Sequence, residues 1–461
     1  MTQIASFFMG IWLSISAFFT GMAGFAVKTD LTEDAWYLKP PPADAAEQLA
    51  VLPSPRQIAH AELEYYGFIH FGMNTFTGRE WGDGTEDPAL FNPTALDTDQ
   101  WAKAMADAGM KGAILTAKHH DGFCLWPTAY SEHSIKNSPY KNGQGDVVAE
   151  FAQSCRKYGL KFGFYLSPWD RHEPTYGTGE GYNEFYKQQL RELLTGYGDV
   201  TFVWLDGANG EGPNGKVQEY DWQGFYDLVR ELQPGAVICV AGPDVAWVGN
   251  EDGLANGNVS SIRGNPGSLR WAKSECDVSI RPGWFYHGDQ QPKSISQLMH
   301  IYYNSVGMNC ALLLNIPPNT AGLFDQKDVD RLAEFRREID KIYASPVVPA
   351  EASVPDAVLA DDTQSYMLSD TEYVIDFKLP SRERLRHVVL SEDSNAYSER
   401  IQAFSVYAKL GPLYIRVGQA QSAGNKTIVK LGTLTPRTDT YRIVVEQAKA
   451  NPVLRYVGFY S

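Results

Sequence analysis

A chain of 461 residues, 44% of them hydrophobic, can bury a sizeable core but is too long for one ordinary domain, so two folded units are expected. A formal net charge of −15 excludes a nucleic-acid or anionic-membrane partner, either of which needs a concentrated basic surface, and is compatible with a neutral substrate. Five cysteines, Cys124, Cys155, Cys239, Cys276 and Cys310, are odd in number, widely spaced and without a CxxC pair, which excludes a disulfide framework and a zinc knuckle; they read as small buried hydrophobes, with Cys124 and Cys276 candidates for the neighbourhood of a site.

From Ile4 to Val27 there is no charged side chain, and Gly24 and Ala26 give a small-x-small pattern before the polar "KTDLTEDAW". Residues 1–26 therefore read as a cleavable signal for export to the periplasm or the medium, although the n-region, MTQ, lacks Lys and Arg. The alternative is an uncleaved anchor, since the apolar stretch approaches the length that spans a bilayer. No later segment does, so no membrane contact is expected after cleavage.

Short β-rich runs follow at 66–72, 112–123, 161–168, 200–207, 236–242, 283–287 and 310–318, for example "YGFIHFG", "VTFVWLDG" and "GWFYH". Between them, apolar residues recur at helical spacing in 97–110, 146–159, 182–198 and 222–234, with Asp97 and Asp99 placed to cap the first. Strands alternating with helices imply a parallel sheet, and the absence of a glycine-rich phosphate loop after the first strand favours a (β/α)8-like (TIM) barrel over a dinucleotide-binding sheet. The barrel is assigned to 27–345. Beyond the helical 328–344 and the Pro-rich "SPVVPAEASVPDA", short alternating strands predict an all-β sandwich over 346–461, which braces the barrel or binds glycan.

The predicted barrel strands end in chemistry. The first ends in His70, the second in Lys118, His119, His120 and Asp121, the third in Tyr165 and Asp170, the fourth in Asp206. In a parallel barrel these carboxyl ends converge on one face, where active sites of this architecture are built. One such residue is a turn; several are a site.

The motifs "FIHFG", "KHHDGFCLW", "GFYLSPWD" and "VWLDG" together resemble glycoside hydrolase family 29, the α-L-fucosidases, across about residues 60–320. The resemblance implies a somewhat irregular barrel followed by a β-sandwich, and a retaining mechanism with no cofactor and no metal. It implies Asp206 as nucleophile with Trp204 beside it, and His70, His119, His120 and Tyr165 as sugar contacts. Glu80 and Trp81 in "GREWGDG" occupy the position of a fucose-contacting Glu-Trp pair. Retaining hydrolysis needs two carboxyl groups about 5 Å apart. The proton donor has no fixed place in this family: Glu251 in "WVGNEDG" matches a "GNE" segment of the α-1,3/1,4-specific branch, and Glu275, read as preceding a strand, is the rival with a structural or binding role as its other reading. Trp284 is a candidate contact for the sugar's methyl group, or a barrel-core tryptophan.

The stretch "AGPDVAWVGNEDG" (241–253) carries the likeness to the regioselective branch and implies fucose linked α-1,3 or α-1,4 in branched Lewis-type glycans. The expected partner is a fucosylated oligosaccharide or glycoconjugate; the sequence assigns no oligomeric state. Three other readings stand beside this one. A broad-specificity α-L-fucosidase would lack the linkage preference. A metal-dependent barrel hydrolase would use His70, His119, His120 and Asp206 as ligands, but neighbouring strand residues point to opposite faces. A non-catalytic glycan-binding protein predicts a missing carboxylate, and both are present.

Overall fold

The computed structural model describes residues 27–28, 39–257, 259–360 and 364–461; the expected signal, 1–26, lies outside them. Eight parallel strands form one sheet: β1 (Tyr65–Ile69), β2 (Gly112–Lys118), β3 (Lys161–Leu166), β4 (Phe202–Leu205), β5 (Val237–Val240), β6 (Val245–Trp247), β7 (Lys273–Ser279) and β8 (Ala311–Asn315). β1 pairs with β2 on one side and with β8 on the other, Leu312 facing Tyr65, which rolls the sheet into a nearly closed barrel. Every residue of β1, β2 and β4 is buried, because a parallel sheet is covered on both faces; this is why these strands read as unbroken apolar runs. Around them pack the helices Thr98–Asp107, Val147–Tyr158, Glu180–Gly196, Trp222–Leu232, Ile295–Tyr303 and Gln326–Tyr343. Asp97 caps the first by accepting the N–H groups of Asp99 and Gln100. Among the described residues no helix is long and apolar enough to cross a membrane.

The barrel's one seam lies between β5 and β6, which share no ladder. A parallel pair needs a crossover of a dozen or more residues, and here only 241–244 intervene. Val240 turns out of β5 at φ 68°, a left-handed conformation rare for a β-branched residue. The buried Asp244 fastens the step: it accepts from the Ile238 N–H at 2.9 Å and pairs with Arg56 at 3.1 Å and with Arg230.

Two expectations are corrected here. Residues 283–287 are not a strand but an irregular loop, and the seventh strand is Lys273–Ser279, whose charged residues hid it from a search for apolar runs. The β-rich runs expected from the sequence also omit β6, which lies just beyond the run at 236–242.

The C-terminal region forms two antiparallel sheets. One orders Leu413–Ala420, Ile401–Leu410, Thr438–Ala448, Val374–Glu383 and Glu351–Ala352, with Val27–Lys28 on its edge; the other orders Tyr366–Met367, Val453–Tyr460, His387–Glu392 and Thr427–Lys430. Phe377, Val406, Ile443, Val388 and Phe459 fill the space between them. The sandwich attaches at the amino ends of the barrel strands: Lys426 pairs with Glu64 just before β1 at 2.7 Å, and Asn309 just before β8 bonds Glu399 at 2.8 Å and accepts from the Asn425 N–H at 2.9 Å. The carboxyl ends are left open.

Candidate active site

A cavity of about 130 Å³ opens at the carboxyl ends of the strands. It gathers all ten residues singled out from the sequence: His70, Glu80, Trp81, His119, His120, Tyr165, Trp204, Asp206, Glu251 and Trp284. Cys124 and Cys276 are buried elsewhere and do not line it, which corrects that expectation.

Asp206 follows the last residue of β4 with its side chain a quarter exposed. Its Oδ1 accepts from the Ala208 N–H at 2.8 Å and its Oδ2 from the Tyr165 hydroxyl at 3.0 Å. Tyr165 and Trp204 are register partners on β3 and β4, so their rings stand side by side and stack at 5.1 Å.

The three histidines are fixed in defined tautomers by what their second nitrogens touch. Asn315, ending β8, accepts the His70 backbone N–H on Oδ1 and donates from Nδ2 to the Trp284 carbonyl, which fixes its amide; His70 Nδ1, 2.9 Å from the same Oδ1, must donate, leaving Nε2 as an acceptor. Ser167 gives its one proton to the Trp169 carbonyl at 2.6 Å, so it accepts from His120 Nδ1 at 2.7 Å, and His120 Nε2 is likewise an acceptor, 3.9 Å from Asp206. Asn74, oriented by Asp121 and the Glu80 carbonyl, donates to His119 Nδ1 at 3.4 Å, which leaves His119 Nε2 as a donor. Burial pushes His70 down to about 3 and His120 to about 4, the latter held back by Asp206, and drives His119 well below its ordinary value. At neutral pH all three are uncharged. The pocket thus offers two acceptors and one donor without a fixed cation, a set suited to the hydroxyls of a neutral sugar.

The mouth is built by loops. Glu80 Oε2 accepts the Trp284 N–H at 2.8 Å, and its Oε1 lies 2.7 Å from His287 Nε2. Trp81 is 58% exposed and stands edge-on to His120 and Trp169. Trp284 is half-buried, its ring 5.0 Å from that of His70, and its indole N–H donates to Glu251 Oε2 at 3.0 Å. Glu251 itself is exposed on the loop after β6. Glu275 is placed differently: it lies inside β7 rather than before a strand, is fully buried, and does not line the cavity.

Asp277 was not singled out from the sequence, yet it lines the cavity. Its Oδ1 accepts from the Trp247 indole at 2.7 Å, and burial pushes its carboxyl up to about 8. The available signal was the alternation Glu275, Asp277, Ser279: polar residues at period two on a buried strand point into the barrel. Lys118 and Asp170, also at strand ends, form a buried pair at 2.8 Å outside the cavity.

His70, His119, His120 and Asp206 do not bring ligand atoms within the span of one metal ion. The group that does, among the described residues, is His60, Cys239 and Glu275 beneath the pocket, where ligand atoms lie within 4.8 Å of one another. The Tyr66 hydroxyl stands among these groups, 3.0 Å from His60 Nε2 and bonded to Glu275, and takes the place an ion would need. A larger cavity of about 540 Å³ lies at the far end of the barrel against the sandwich, with Lys426 on its wall already paired to Glu64.

Comparison with known proteins shows the family and the fold. A model of the α-L-fucosidase family matches residues 45–337. The chain is similar to α-L-fucosidase 1 of Arabidopsis thaliana, 38% identical over 94% of this chain and 91% of the relative. Among solved structures it is similar to a glycoside hydrolase family 29 fucosidase of Ruminococcus gnavus in complex with fucose, with a TM-score of 0.80, 28% identity and coverage of 93% and 98% of the two chains. A family 29 member from a rumen bacterium superposes with a TM-score of 0.78 at 35% identity, covering 89% and 77%.

Proposed function

Because the chain belongs to the α-L-fucosidase family, glycoside hydrolase family 29, and is an α-L-fucosidase, we propose that it releases terminal fucose with retention, Asp206 acting as nucleophile and Glu251 as acid/base. The observation that carries this reading is the meeting of both carboxyl groups with three neutral histidines in one pocket. Asp206 attacks the anomeric carbon as Glu251 gives its proton to the leaving oxygen, so the glycosidic bond breaks as the ester to Asp206 forms. Glu251, now a carboxylate, takes a proton from water, which attacks the same carbon and frees Asp206. His70 and His120 accept from ring hydroxyls and His119 donates to one, while Trp284 offers its face to the methyl group.

The linkage preference extends this reading. The loop bearing Glu251 faces the leaving group in this mechanism, and contacts from it to a second sugar on the same GlcNAc raise turnover by aligning the donor. Fucose joined α-1,3 or α-1,4 in a branched Lewis-type unit is the substrate proposed, and the uncharged run from Ile4 to Val27, read as an export signal, supports action outside the cytoplasm. The test compares kcat/KM for a Lewis trisaccharide, an α-1,2-linked fucosyl-lactose and an aryl fucoside. The trisaccharide is expected to win; a clear win by either of the others assigns the chain to the broad-specificity branch.

A further inference from the structure

The barrel interior beneath the pocket holds a carboxylate that the reaction does not use. Glu275 is inaccessible to solvent, with the Trp204 indole N–H 2.9 Å from its Oε1 and the Tyr66 hydroxyl on its Oε2. Burying an acidic side chain is costly, and for stability alone an apolar side chain of similar volume does as well or better. The same core layer is otherwise filled by residues such as Val237, Leu313 and Phe202. An acidic side chain retained there needs a reason besides packing.

The reason is legible in what Glu275 holds. Trp204 and Asp206 are two residues apart at the end of β4, and the Trp204 ring stacks on Tyr165 at an interplanar angle of 28°. The Tyr165 hydroxyl in turn donates to Asp206 Oδ2 at 3.0 Å, which among the described residues is the one side-chain hydrogen bond to Asp206 beside the backbone contact from Ala208. We propose that Glu275 is a positioning residue for Asp206: its carboxylate fixes the Trp204 indole, the indole fixes the Tyr165 phenol, and the phenol holds the attacking carboxylate in one orientation. Attack on a bound sugar requires the reacting oxygen near van der Waals contact with the anomeric carbon, and displacements of about 1 Å can reduce rate by 10²-fold. The inference rests on Asp206 being the nucleophile.

A double-mutant cycle tests it. Glu275→Met combined with Tyr66→Phe removes the carboxylate together with the hydroxyl it accepts from, which leaves the Trp204 indole and His60 Nε2 without their partners; Tyr66→Phe alone is the control for the loss at His60. The expected result is a fall in kcat on an aryl fucoside of about 10- to 100-fold, with inhibition by free fucose changed less than about threefold. Glu275→Gln, which keeps an acceptor for the indole, gives a smaller loss of about three- to tenfold. In a Tyr165→Phe background either change adds less than about twofold, because the path is already cut. A kcat equal to wild type in a folded variant, or a loss that persists undiminished beside Tyr165→Phe, overturns the proposal. If the double variant does not fold, the Glu275→Gln cycle decides by the same criteria. Full activity of Asp206→Ala would instead remove the nucleophile assignment, whereas an inert Asp206→Ala beside neutral Glu275 variants removes this proposal alone.

Discussion

The indole N–H of Trp284 lies 3.0 Å from Oε2 of Glu251, so the loop after β7 reaches across the mouth to hold a carboxyl group carried by the loop after β6. Trp284→Phe keeps the ring against His70 but removes that donor. Hydrolysis of an oligosaccharide, whose leaving group needs the proton, is expected to fall about tenfold; an activated aryl fucoside should lose less than about threefold. Glu251→Gln should widen the same gap to 10²-fold or more. Equal losses on both substrates would dissociate Glu251 from proton transfer.

Asp206→Ala is expected to abolish turnover with the fold intact, since the side chain sits at an open strand end and its removal leaves no core cavity. Added azide should restore activity and yield a fucosyl azide of inverted configuration. Near-wild-type hydrolysis by this variant would sink the assignment.

The buried histidines couple stability to acid. His120 stays neutral in the native state down to about 4, whereas the unfolded chain protonates its imidazole below about 6.5. The unfolded state binds more protons in that window, so the contribution is present in full above about 6.5 and lost as the pH falls to about 4, by about 3 kcal/mol. Denaturant titrations at pH 7 and pH 4.5 should show His120→Asn losing less stability on acidification than wild type. Parallel losses would mean that His120 is not held neutral.

Asp244 fastens the seam, so Asp244→Asn leaves Arg56 and Arg230 without their carboxylate and is expected to lower stability by about 3 kcal/mol. The measurement is the denaturation midpoint. A change under about 0.5 kcal/mol would show that the step between β5 and β6 holds without it.

Prolonged chelation should leave activity unchanged, because the His60, Cys239 and Glu275 cluster is filled by the Tyr66 hydroxyl. A reversible loss restored by zinc would point to a metal in the reaction.

Most of the barrel was legible because β1 through β5 and β8 bury both faces and so spell apolar runs, three of which lead to His70, Tyr165 and Asp206. β7 was hidden because Lys273, Glu275 and Asp277 are polar groups satisfied inside the barrel, a condition that depends on partners such as Asn309, Trp204 and Trp247, far away in sequence. β6 was missed because three residues carry too short a pattern. For the same reason Glu275 and Asp277 could not be told apart by their neighbours in sequence: two positions along one strand separate a residue sealed beneath the pocket from one that lines it.

The step at 241–244 also bears on how such an enzyme changes over time. Asp206 has a fixed address, two residues beyond Trp204 at the end of a rigid strand, and any insertion before it would disturb the β/α repeat. Glu251 belongs to a loop stretch tethered by β6 on one side, by the hairpin Ile262–Arg263 and Arg270–Trp271 on the other, and by the Ala255 N–H, which donates to the Asn304 carbonyl at the end of the helix Ile295–Tyr303. Lengthening that stretch leaves every barrel ladder intact. Substrate range is therefore free to evolve by exchange of one cassette while the attacking machinery stays constant, and 249–261 is the segment to transplant when a new aglycone is wanted.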